Sequence, residues 1–242
     1  MPLPRFVLVH GLITSSSMWR PQRVALEAAG AVVVAPDLPG HGMRDDAFTL
    51  DAAMATIDDA IDALPGEGPV VLVGLSLGGY LAMEYAGRCP ERIDGLIAMG
   101  CTTPPVAFGL QVYRAVSESL LRQGALALRT QRLAQTIALG PEGAEDFLAG
   151  GIGLGAALDA INTVAELDPI DSVRRAADAQ VPVWFVSGQF DQMRLGERRF
   201  WEAAPDAWHS IVPLAPHVVN LANPAAINRL LTDVAKAILD GE

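Results

Sequence analysis

Positive charge is scarce in this chain, cysteine is nearly missing, and no apolar run is long enough to span a bilayer. The 242 residues carry 17 Lys and Arg against 28 Asp and Glu, a formal net charge of −11. That balance argues against nucleic acid or an anionic membrane as partner. The two cysteines, Cys89 and Cys101, show no metal-ligand spacing. They are expected as small packed side chains in a reducing, cytoplasmic compartment, not as a disulfide or a metal site. Apolar residues make up 51% of the chain, but in runs well short of the ~18 that a transmembrane helix needs. The opening residues, Met1-Pro2-Leu3-Pro4-Arg5-Phe6, lack the charged, apolar and small-residue succession of a secretory leader, so none is expected.

What the chain does have is alternation. Apolar runs bounded by turn residues predict strands over residues 6–10, 31–36, 69–74, 95–100, 181–187 and 210–214. Helical stretches are expected between and after them, over residues 19–29, 50–64, 77–88, 168–179, 196–204 and 224–239. Strands alternating with helices imply a mostly parallel sheet with right-handed crossovers. Continuous apolar strands such as Ala31-Val32-Val33-Val34-Ala35 imply helices on both faces. One interval breaks the rhythm. Residues 102–166 are Ala- and Leu-rich and far longer than a crossover requires. The expected organisation is therefore an α/β core of about six strands, from residues 1–101 and 167–242, with an inserted helical lid at 102–166.

The most specific chemistry lies at Gly74-Leu75-Ser76-Leu77-Gly78, preceded by a readable strand and followed by a readable helix. That context is the one a nucleophile elbow requires. The serine is held on a strained turn, and side chains at 74 and 78 would collide, so both are glycine. A serine hydroxyl needs a base, and the base needs an acid to orient it. Four histidines are available. His10 and His41 precede the elbow and are read as loop-shaping residues. His209 lies at the entry of the last strand, the wrong end of a parallel sheet for chemistry. His217 follows that strand's carboxyl end and is the candidate base. Asp191 ends the turn after the strand at 181–187 and is the candidate acid, which gives the chain order Ser, Asp, His. Asp168 and Asp171 are instead expected to open the crossover helix.

These segments resemble the α/β-hydrolase superfamily across essentially the whole chain outside the lid. Val7-Leu8-Val9-His10-Gly11-Leu12, with Met18-Trp19 following, looks like its oxyanion loop. Asp37-Leu38-Pro39-Gly40-His41-Gly42 resembles the loop after its next strand. Gly188-Gln189-Phe190-Asp191 and Pro216-His217, with Asn223-Pro224 beyond, match its acid and base segments. The resemblance implies an oxyanion hole formed by the backbone N–H groups of Leu12 and Leu77, and no metal or organic cofactor. It also implies ester, lactone or thioester hydrolysis, with cofactor-free lyase chemistry or a non-catalytic receptor as alternatives on the same fold. The chain departs from the family in lacking two opening antiparallel strands, and in carrying Ala222 where many relatives have an acid. A serine at 76 argues against the dehalogenase and epoxide hydrolase branches.

Substrate identity is expected to be set by the lid. Trp19, Phe108 and Tyr113 are the candidate substrate contacts, and an apolar lid implies a small to medium, largely apolar ester. Arg114, Arg122, Arg129 and Arg132 are expected to be solvated. The run Gly150-Gly151-Ile152-Gly153-Leu154-Gly155 follows no strand, so it is read as a hinge or packing element and not as a dinucleotide loop.

Overall fold

Six segments rich in β-branched and large apolar residues become strands, as residue type favours. In the computed structural model, which describes residues 4–105 and 107–240 (leaving out the side chains of 107–110, 112, 113 and 125), they are β1 (Arg5–Val9), β2 (Val32–Val34), β3 (Val70–Leu75), β4 (Gly95–Met99), β5 (Val183–Gly188) and β6 (Trp208–Val212). They form one sheet in the order β2-β1-β3-β4-β5-β6, with every neighbouring pair parallel.

Parallel pairing demands long connections. These are α1 (Arg20–Ala28), α2 (Leu50–Asp62), α3 (Leu77–Arg88), α7 (Pro169–Asp178) and α8 (Glu197–Ala203), while α9 (Val219–Ala222) and α10 (Pro224–Asp240) follow β6. Helix starts obey local chemistry. Thr49 accepts from the Ala52 N–H at 3.1 Å to cap α2, and Asp168 accepts from the Asp171 N–H at 3.1 Å to cap α7.

Side chains alternate across the sheet with period two. Val7, Val9, Leu72, Leu96, Ala98 and Phe185 face a core built with α2, α3, α7 and α8. Phe6, Leu8, Val71, Val73, Ile97, Met99 and Val186 face the opposite core, built with α1 and α10. Covered on both faces, the inner strands β1, β3, β4 and β5 have little polar side to show, which explains their largely apolar sequence, while the edge strand β2 is half-buried and β6 mostly exposed. Helix α3 is buried over nearly its whole length between the sheet and α7. Its one buried charge, Glu84, accepts from the Ser172 hydroxyl at 2.5 Å and from Arg88 Nε at 2.6 Å.

Between β4 and α7 lie α4 (Ala107–Gln123), α5 (Ala127–Leu148) and α6 (Leu154–Ala165). Helix α5 is broken at Gly140 (φ 78°, ψ 174°), followed by Pro141. Beyond the break, Phe147 and Leu148 join the α1–α10 core, while Ala156, Ala160 and Val164 of α6 join the other. Leu126, Leu133 and Ile137, before the break, are exposed. The second half of this segment thus joins the two cores, while its first half carries several exposed apolar side chains.

Strand β6 differs from the sequence expectation at both ends. Strand β6 starts two residues early, because Trp208 stacks on Trp184 (centroids 4.7 Å apart) and His209 on Phe185 (5.4 Å). These cross-strand ring pairs extend the ladder. It also ends early, ahead of Leu214, whose φ of 57° turns the backbone out of the sheet.

Candidate active site

The carboxyl ends of β1, β3, β5 and β6 open on the same edge of the sheet, where parallel α/β folds place their ligands. From β3 the chain turns directly into α3 at Ser76, whose φ of 56° and ψ of −115° are strained for a residue with a Cβ. The turn is held by a hydrogen bond from the Ser76 N–H to the Met99 carbonyl (2.8 Å) and one from the Tyr80 N–H to the Ser76 carbonyl (3.0 Å). It exists only because its flanks are bare. A Cβ on Gly74 would lie 2.1 Å from the Gly78 carbonyl oxygen, and one on Gly78 would lie 2.2 Å from that of Val9.

From β5 the chain reaches Asp191, and from β6 it reaches His217. His217 Nδ1 lies 2.9 Å from Asp191 Oδ1, which also accepts from the Met193 N–H at 2.8 Å. With the carboxylate accepting, Nδ1 carries a proton, and in the neutral ring Nε2 holds the lone pair. The Asp191 side chain has no solvent exposure, and among the described residues its Oδ2 has no hydrogen-bond partner. The wall behind the pair is Gly100 (φ 59°), where a Cβ would lie 3.0 Å from Asp191 Oδ2 and 3.2 Å from the His217 ring.

Ser76 and His217 line one cavity of about 390 Å³, together with Leu12, Ile13 and Met18 on its floor and Ser117, Gln131, Gln135 and Leu139 from α4 and α5. A second recess, apolar and only about 40 Å³, opens on Ser76 between α3 and α6, lined by Leu12, Leu77, Tyr80, Ile161 and Val164 among others. Leu77 is the first residue of α3, so its amide is one that the helix cannot satisfy internally and lies at the positive end of the dipole. Leu12 lines both spaces, and the residue after it, Ile13, has φ 53°, a strained value for a β-branched side chain.

The loop carrying Leu12 is pinned by His10. The Leu38 N–H donates to His10 Nε2 at 2.9 Å, so Nδ1 holds the proton and donates to the Gly11 carbonyl at 2.8 Å. Burial, helped by nearby His41, pushes the His10 pKa down to about 3. His41 is lowered too, mainly by burial, and its Nδ1 pairs with the Pro39 carbonyl at 2.9 Å. Burial alone would raise Asp37, but the N–H groups of Met43 and Ser16 (2.9 and 2.8 Å) hold it below its ordinary value. His10 and His41 therefore shape loops.

Of the three candidate substrate contacts, Trp19 is misplaced by the sequence reading. It is fully buried in the core on the α1–α10 face, and its neighbour Met18 lines the cavity instead. Both residues lie in the 3-10 turn at Ser16–Trp19 and are fully buried, but only Met18 reaches the cavity. The side chains of Phe108 and Tyr113 lie outside the described residues. Sequence reasoning missed Ser117, Gln131, Gln135 and Gln192, all of which line the cavity. The signal was present in α5, where Gln131, Gln135, Ala138 and Leu139 share one helical face. Arg114, Arg122, Arg129 and Arg132 do not line the cavity; Arg114 and Arg122 pair with Glu118 at the surface. Among the described residues no cluster of His, Cys, Asp and Glu is arranged to hold a metal, and no helix is long and apolar enough to cross a membrane. Neither cysteine is in a disulfide; Cys101 is buried and Cys89 half-buried.

Comparison with known proteins adds the lineage. The model of the alpha/beta hydrolase family matches residues 6–230. A lipase, LipV, of Mycobacterium tuberculosis is 33% identical over 119 residues, which are 48% of this chain and 43% of that protein. A pimeloyl-[acyl-carrier protein] methyl ester esterase of Nitrosospira multiformis is 34% identical over 107 residues, 42% of this chain and 39% of its own. These matches span less than half the length of the curated relatives. A crystal structure from work on carboxylesterases of Nitrososphaera gargenis superposes with a TM-score of 0.82, covering 100% of this chain and 92% of that one at 16% identity, a likeness of fold.

Proposed function

The chain belongs to the alpha/beta hydrolase family, and from that premise we propose that it hydrolyses a carboxylic ester, or a related lactone or thioester, through a covalent acyl-serine. Ser76 Oγ attacks the carbonyl carbon while its proton passes to His217 Nε2. The oxyanion that forms is held by the N–H groups of Leu12 and Leu77; losing such a donor costs about 2.7–4 kcal/mol of transition-state stabilisation in serine proteases. His217 returns the proton to the leaving oxygen, the C–O bond breaks, and the alcohol departs. Water, deprotonated by the same ring, then attacks the acyl carbon, the bond to Ser76 Oγ breaks as His217 returns the proton to that oxygen, and the acid is released. Asp191 holds the ring in the right tautomer and balances the cation that forms on it.

The observation that carries this reading is the Asp191–His217 pair at 2.9 Å facing the cavity that holds Ser76. The two spaces flanking Ser76 support a division of the substrate. The recess of about 40 Å³ admits little more than one small group and suits the alcohol side of a methyl ester. The larger cavity suits a medium-sized acyl arm. The proposed organisation keeps residues 102–166 as a lid over a core of 1–101 and 167–242. Its outer part turns on the break at Gly140, and its inner part is tied down where Thr14 donates to the Phe147 carbonyl (2.6 Å) and Arg20 pairs with Asp146 (2.8 Å).

A panel of methyl, ethyl and longer esters, lactones and thioesters, run against Ser76→Ala as the blank, tests the proposal. Hydrolysis of short-alcohol esters, lost in the blank, is the expected result. Equal turnover by Ser76→Ala would refute it.

A further inference from the structure

The acyl cavity is apolar at its floor and polar on one wall, and the polarity is of one kind. Among the described residues lining it there is no Asp, Glu, Lys or Arg. The wall carries Gln131 and Gln135, one helical turn apart on α5, and Ser117 on α4. Gln131 and Ser117 are buried, at 7% and 2% exposure, although glutamine and serine mostly stay in water. The Gln135 side-chain N–H donates to Gln131 Oε1 at 3.2 Å. This bond uses one donor and one lone pair, and the two amides between them retain both donors and acceptors for a third group.

Accepting that the cavity takes the acyl arm of an ester, we infer that Gln131 and Gln135 form a subsite for an uncharged hydrogen-bonding group on that arm. A hydroxyl or a carboxamide satisfies the pair. A plain alkyl end strips water from the buried amide of Gln131 and the half-buried amide of Gln135 and returns nothing, which a site built for hydrogen bonding rejects strongly. A carboxylate end enters a space lined, among the described residues, by no Lys or Arg, at a large desolvation cost. The substrate class is thus a neutral, polar-ended ester and not a simple fatty acyl ester or a diacid monoester.

The test uses methyl esters of straight six-carbon acids ending in methyl, hydroxyl, carboxamide or carboxylate, with acetates of the matching alcohols covering the reversed orientation. Expected is a kcat/KM at least about tenfold higher for the hydroxyl and carboxamide ends than for the methyl end, with the carboxylate poorest. Gln131→Leu and, separately, Gln135→Leu should collapse that ratio. Binding of the same esters to Ser76→Ala should rank them in the same order, and adding Gln131→Leu should erase the ranking. Cleavage without discrimination, or discrimination that survives both leucine variants, overturns the subsite and leaves the hydrolase reading intact. Ranked binding without cleavage upholds the subsite and overturns the hydrolase reading. No ranking in either measurement overturns the subsite.

Discussion

Asp191 Oδ1 holds His217 Nδ1 at 2.9 Å from a side chain shut off from solvent, and its other oxygen has no hydrogen-bond partner among the described residues. A buried carboxylate satisfied on one oxygen leans on its histidine, and is stabilised most when that ring is cationic. On the proposed mechanism, Asp191 balances the charge that His217 gains on taking the serine proton. Asp191→Asn removes the charge but keeps the shape. On this account kcat falls by about 10³- to 10⁴-fold, with far smaller change in KM. Steady-state kinetics on a cleaved methyl ester check it; a loss under tenfold contradicts it.

Gly100 backs the same pair. An added methyl would stand 3.0 Å from Asp191 Oδ2 and 3.2 Å from the His217 ring, at a φ of 59° that disfavours any side chain. Gly100→Ala is expected to lower kcat by at least tenfold and stability by about 1–3 kcal/mol. Urea unfolding and kinetics measured together check both effects.

Ser76 stores strain in its turn, with φ 56° and ψ −115°. Glycine adopts positive φ without penalty. Ser76→Gly should abolish turnover yet raise stability by about 1 kcal/mol, an exchange common at strained active sites. Thermal unfolding of the variant beside the parent decides it, and a lowered Tm would contradict the strain argument.

Acid should destabilise the fold in a defined window. Folded His10 binds its proton only near pH 3, against 6.5 for a free histidine. The unfolded chain therefore holds the extra proton between those values, and stability falls as pH drops through them. His41, also lowered by burial, acts in the same direction from 6.5 downward, and Asp37, lowered from 3.8, adds to the loss below about pH 4. Each proton contributes a slope of about 1.4 kcal/mol per pH unit. Unfolding free energies measured from pH 7.5 to 5 should decline, and less steeply in His10→Gln. A flat profile contradicts the assignment.

The fold was legible because its inner strands are covered on both faces and its loops carry the turn residues that parallel crossovers need. Val70–Val73 announces a buried strand with no polar alternation. The elbow was legible for a sharper reason: only glycine fits where Gly74 and Gly78 stand. The edge of β6 was read two residues short, since ring stacking between Trp184 and Trp208 is a tertiary effect that local pattern cannot carry. Trp19 does not reach the cavity because it packs wholly into the α1–α10 core, a tertiary contact that local pattern does not carry. The polar wall at Gln131 and Gln135 was passed over because glutamines on an Ala/Leu-rich helix look like its solvated side. Here the solvated side of α5 is given to Arg132, Leu133 and Ile137 instead.

The account turns on Ser76 being the atom source of a covalent intermediate. Treating the protein with a fluorophosphonate and mapping the adduct by peptide mass spectrometry tests this most directly. One phosphonyl group on the peptide containing Ser76 is predicted, formed at least a hundredfold more slowly in His217→Ala. A protein that cleaves esters while Ser76 stays unmodified, or one labelled as fast without His217, would contradict it.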